Sequence, residues 1–164
     1  MRIRLFAAVL LAPLALGACD RNPIGTGARL VGEWESDGIP LLETLPNGST
    51  NAIYRESWSF RDDGAYAHSN VLIDGTTGRR WVVAAEAGSW RTTDDELSRV
   101  IREVLHVDDP AGVPPEVPVM DPVDPQLVRA GYELEGPTLT IYPPCPPNAS
   151  CIAPLPLHRA PVAF

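Results

Sequence analysis

The clearest pattern of apolar and polar positions lies at residues 53–73. Tyr54, Trp58 and Phe60 share one parity there, and Arg55, Ser57 and Ser59 share the other. A period of two predicts a half-buried strand. Asp62-Asp63-Gly64 then supplies a tight turn, since glycine takes positive φ without steric cost. Residues 65–73 return as the partner strand. A second turn at 74–78 leads into 79–90, which is rich in Trp and Val, and the three segments read as an antiparallel meander. A strand is predicted from Leu30 to Trp34, followed by turn signals at Pro40, Pro46 and Asn47-Gly48. Tyr132 to Leu134 and Leu139 to Tyr142 flank Gly136-Pro137 as a hairpin. Residues 152–159 make a last strand, confined by Pro154 and Pro156 to an edge or a closure point.

Two segments break this pattern. In 91–107, Leu97, Val100, Ile101, Val104 and Leu105 form an amphipathic helix stripe. Thr93-Asp94-Asp95-Glu96 reads as its capping box. Read as a strand, the odd positions give Leu97, Ile101, Leu105 and Val107, interrupted by Arg99 and Glu103. Local pattern favours a helix at about 94–107. Residues 108–126 hold six prolines, a density that neither a helix nor a central strand tolerates. They read as a Pro-rich loop or polyproline II insert lying over the domain.

The N-terminus carries an address. Arg2 and Arg4 precede an apolar run at 5–16 broken only by Pro13, a positive segment and apolar core of signal-peptide length. A spanning helix needs about 20 apolar residues, so the run is too short for a permanent anchor. Leu16-Gly17-Ala18-Cys19 resembles the lipobox of bacterial lipoproteins. That resemblance implies a diacylglycerol on the Cys19 thiol, cleavage before Cys19, and acylation of the new amino group. Asp20 resembles the inner-membrane retention signal of such proteins. The expected organisation is a signal peptide at 1–18, a lipidated tether at 19–29 and one β-rich domain at 30–164. The expected location is the cell envelope, facing the periplasm.

Charge and cysteines narrow the partners. The full chain has a formal net charge of −8, every basic residue is Arg, and two of these lie in the leader. A chain this acidic is a poor nucleic-acid binder and is repelled by anionic headgroups. The lipid, not a basic patch, must then hold it at the membrane. Cys145 and Cys151 remain after Cys19, and in an exported, oxidising compartment an even pair reads as a disulfide. A metal site would need more ligands at workable spacing, and His68, His106 and His158 are scattered singly.

The strand motifs together resemble the small bacterial lipocalin-like lipoproteins. Gly32-Glu33-Trp34 opens the domain, the strands around Asp63-Gly64 follow, and Gly88-Ser89-Trp90 repeats the G-x-W pattern. The resemblance implies a mainly β fold, an antiparallel meander closing into a barrel. It implies that Trp34 plugs the barrel base and that Arg159 packs on it, a structural role. The helical pattern at 94–107 and the proline insert depart from that family. Trp34, Tyr54, Trp58, Phe60, Trp81 and Trp90 are core aromatics, and all but Trp34 are also candidate cavity lining. Catalytic motifs are missing: no G-x-S-x-G elbow, H-E-x-x-H, phosphate loop or dinucleotide fingerprint. His68, beside Tyr66, reads as a surface or rim residue. The expectation is a non-enzymatic, membrane-tethered envelope protein without metal or cofactor that binds a small apolar ligand. The alternative is an envelope protein–protein interaction or inhibitor module with a filled core.

Overall fold

The alternation at 53–73 becomes a hairpin of β3 (Ala52–Phe60) and β4 (Ala65–Asp74), paired antiparallel from Ala52↔Asp74 to Phe60↔Tyr66. Gly64 closes its turn at φ +80°, and Asp63 Oδ1 accepts a hydrogen bond from the Ala65 amide. The computed structural model describes residues 25–42, 44–106, 114–145 and 153–161. The signal segment, Cys19, Asp20 and Cys151 lie outside them. Expectations about cleavage, lipidation and the Cys145–Cys151 pairing therefore fall outside the described residues.

β1 (Gly32–Ser36) and β2 (Ile39–Leu41) both pair with β3, at its two ends. The meander then runs through β5 (Arg80–Thr92), β6 (Glu96–Leu105), β7 (Met120–Glu135), β8 (Thr138–Tyr142) and β9 (Pro156–Arg159). β1 also pairs with β9, through Trp34↔Arg159 and Ser36↔Leu157. The result is a closed antiparallel barrel of eight strands, with β2 added beside the far end of β3. β7 and β8 meet at a two-residue turn that Gly136 enters at φ +59°, the first-position glycine that a II′ turn requires.

Two expectations are corrected. Where a helix was expected at 94–107, Glu96–Leu105 form strand β6, bonded to β5 and β7 along its length. Arg99, an interruption in the strand pattern of the sequence, points inward to the half-buried Glu86 carboxylate. A bulge at Arg102 leaves Arg102 and Glu103 both exposed and returns Val104 to the core side. Two ladders of non-local hydrogen bonds outweigh a local helical stripe. The proline insert ends earlier than expected, since β7 begins at Met120. Between Glu103↔Pro122 and Ile101↔Gln126 three residues of β7 oppose one of β6. Pro122 and Pro125 stand at the edge of and inside this irregularity, where missing amide donors disturb little regular ladder. Ahead of β1, Gly25–Arg29 form a 3₁₀ helix, and Leu30, the expected first residue of the domain, is fully buried.

Inward residues fill the barrel in two clusters. The larger joins Trp34, Trp58, Phe60, Tyr66, Trp90, Leu97 and other apolar residues of the base. The smaller joins Leu45, Ala52 and Trp81 at the opposite end, with Leu41 and Leu72 packed against it. Each large side chain removed from water contributes about 1.5–3 kcal/mol, so the two plugs are the main source of stability. Buried indoles also satisfy their N–H groups, as burial requires. Trp34 donates to Leu30 O at 2.7 Å, and Trp90 to Arg61 O at 3.1 Å. At the far end the buried Asp74 carboxylate accepts from the Thr76 amide, Thr77 Oγ1, Asn47 Nδ2 and Ser49 Oγ. The Thr76 amide above all, with the Thr77 and Asn47 side chains, holds its pKa well below the usual carboxylate range.

Candidate functional site: a polar centre beside an apolar cleft

Between the two plugs the barrel interior is charged. Glu56 on β3, His68 on β4, Glu86 on β5 and Arg99 on β6 converge there. His68 Nε2 lies 3.1 Å from Glu56 Oε1, and its Nδ1 lies 3.7 Å from Glu86 Oε1. Arg99 forms an ion pair with the same Glu86 oxygen, to which Tyr66 donates at 3.3 Å. The Trp58 indole donates to Glu56 Oε1 at 2.7 Å. Trp58 stacks on His68 at 4.0 Å between centroids, and the Arg99 guanidinium lies 4.7 Å from the Trp58 ring.

The electrostatics follow from this geometry. Burial disfavours the charged form of His68, but hydrogen bonds to Glu56 and Glu86, together with their charges, raise its pKa. Burial likewise works against ionised Glu56 and Glu86. For Glu56 the His68 hydrogen bond leads the opposing interactions; for Glu86 that bond and the Arg99 charge do so, and both carboxyls titrate lower than usual. Burial, then the Glu86 charge, pushes the Tyr66 phenol far up, so it stays neutral. With His68 protonated the four groups sum to zero charge; with His68 neutral they sum to −1. Among the described residues no group of three His, Cys, Asp or Glu side chains is arranged to hold a metal.

An apolar cleft of about 450 Å³ opens beside this centre. Its walls include Ile39 and Leu41 of β2, Ile141 of β8, and Leu155 and Leu157 at β9; Tyr54 and Glu56 of β3 also line it. The cleft has a topological cause. β1 pairs with β9 only as far as Ser36↔Leu157, and the chain then continues as β2 against β3 alone. The barrel wall parts at this end between β2 and the segment leading into β9. Among the described residues of the lining Glu56 alone is charged, and it belongs to the polar centre as well.

The residues singled out from sequence fall in different places. Trp34 is buried at the base. The Arg159 guanidinium lies 4.2 Å from its ring and donates at 2.5 Å to both Arg29 O and Val31 O. Of the candidate cavity aromatics only Tyr54 lines the cleft. Trp58, Phe60 and Trp90 pack in the base cluster, and Trp81 in the other. His68 is corrected from a surface position to the interior, its side chain 16% exposed. Glu56, Glu86 and Arg99 were not anticipated, because charged residues in a strand read as outward-facing. Parity offered a signal for one: Glu56 sits in phase with Tyr54 and Trp58. Comparison with protein-family models, curated proteins and solved structures gives no match.

Proposed function

We propose that this chain is a lipid-anchored envelope protein whose barrel receives a small apolar ligand in the cleft between β2 and β9. The cleft itself carries the reading. It is a part-open concavity of about 450 Å³ with mainly aliphatic walls, within the roughly 300–1,000 Å³ range of small-molecule sites. The base cluster is filled, so a ligand enters from the parted end rather than through the base. The proposed role is binding without turnover.

Filling the cleft tests this directly. Ala153 lines it and is exposed, so Ala153→Trp should occupy the space without emptying the core. The neutral fluorophore N-phenylnaphthylamine should brighten with the native protein. Its affinity should drop at least about tenfold, roughly 1.4 kcal/mol, in a variant whose circular dichroism is unchanged. Equal brightening with both proteins, or none with either, rejects the cleft as a ligand site. The anchor is tested separately. Labelled palmitate should enter the protein in bacterial cells and be lost in Cys19→Ala; incorporation that survives the substitution rejects Cys19 as the lipid site.

A further inference from the structure

We propose that the ligand is a small organic cation, an apolar body bearing one ammonium group, and that the ammonium docks against the Glu56 carboxylate. This rests on the reading of the cleft as a ligand site and specifies what the site selects. Three observations carry it. Among the described residues of the lining there is a single charge, and it is negative. Tyr54, two residues along the same face of β3, adds an aromatic ring to that wall, and an aromatic ring beside a carboxylate is a favourable setting for an ammonium. The whole chain is acidic, at −8, so its field draws cations in and opposes anions.

The polar centre gives the binding a proton linkage. The groups facing His68 are Glu56 from β3 and Glu86 from β5, and Glu86 is held in turn by Tyr66 from β4 and Arg99 from β6. Glu56 Oε1 already accepts from Trp58 and from His68. A protonated His68 therefore competes with an incoming ammonium for the charge of Glu56. When the ammonium docks, the proton leaves His68 for solvent and the buried cluster stays near neutral. Cation binding then strengthens as pH rises through the pKa of His68, and protons are released on binding. An uncharged ligand of the same shape shows neither effect.

Adamantylammonium, adamantanol and adamantanecarboxylate share one apolar body and differ in charge. Titration calorimetry of the purified protein should rank them in that order, with the ammonium ahead of the alcohol by at least about tenfold. Titrations at about pH 6, below the ordinary imidazole value of about 6.5 so that His68 starts protonated, in two buffers of different ionisation enthalpy should show proton release for the ammonium alone. Glu56→Gln, which keeps the side-chain shape, should erase the preference for ammonium over alcohol. The proton count needs no variant and stands if that substitution disturbs folding. Alcohol binding equal to ammonium binding, or ammonium binding without proton release, overturns the cation inference and leaves an apolar ligand site in place. Binding of none of the three overturns both.

Discussion

At the scale of single residues, the two G-x-W motifs have separate physical reasons. A Cβ on Gly32 would collide with the Arg159 guanidinium, and Gly32 also sits at φ +132°, a backbone region that side chains rarely adopt. A Cβ on Gly88 would collide with Val100 O of the neighbouring strand. In each motif the glycine lets something approach closely, and the Trp two residues on fills the base. Trp90 meets Phe60 edge-on at 4.9 Å. Arg159 completes this arrangement, because one planar fork reaches two backbone carbonyls and covers an indole at once. Arg159→Ala should lower stability by about 2 kcal/mol, the combined scale of an exposed cation–π contact and a charge-assisted hydrogen bond. Arg159→Lys should recover only part of this, since one ammonium cannot reproduce the fork. Urea midpoints at constant slope measure both losses. A lysine variant as stable as the native protein would show that positive charge near Trp34 is enough.

At the scale of strands, legibility depended on whether the controlling interaction was local. The hairpin of β3 and β4 could be read because alternation and a turn glycine lie within one stretch of chain. β6 could not. Its inward Arg99 answers Glu86, thirteen residues away on another strand, and its bulge at Arg102 is defined only against β5 and β7. β7 was hidden for a related reason, since its prolines mark the irregular register of a ladder whose partner is β6. The polar centre needs four strands in place before it exists, so its residues looked like surface charges one by one. The bulge makes a specific prediction. Deleting Arg102 should regularise the ladder, keeping Ile101 and Val104 inward and Glu103 outward, and the protein should still fold. Deleting Val100, in the regular part of the same ladder, should flip one half of the strand to the wrong face and abolish folding. Thermal unfolding followed by near-ultraviolet circular dichroism separates the two; loss of the folded signal in both would show that the bulge itself is required.

At the scale of the whole barrel, the charged centre couples four strands to the pH of the surroundings, and the signs can be worked out. His68 has a raised pKa in the folded protein. Its contribution to stability is fully present below the unfolded value of about 6.5 and is lost as pH rises through the folded value. Glu56 and Glu86 have lowered pKa values. Their contributions are present above the unfolded value of about 4.3 and are lost as pH falls through the folded values. The two dependences leave a plateau between about pH 4.3 and about pH 6.5, with stability declining on both sides. The alkaline decline has a structural meaning, because neutral His68 leaves a net charge of −1 enclosed by aromatic rings. Urea unfolding between pH 4 and pH 9 should show the midpoint falling above the plateau in the native protein. His68→Gln should remove that alkaline slope while the acid slope of the two carboxylates remains. The ligand reading adds a further condition: if an ammonium replaces the His68 proton beside Glu56, saturating adamantylammonium should restore the midpoint on the alkaline side and have least effect on the plateau. An alkaline slope that survives in His68→Gln would assign the pH dependence to another group and remove the basis for the proton exchange.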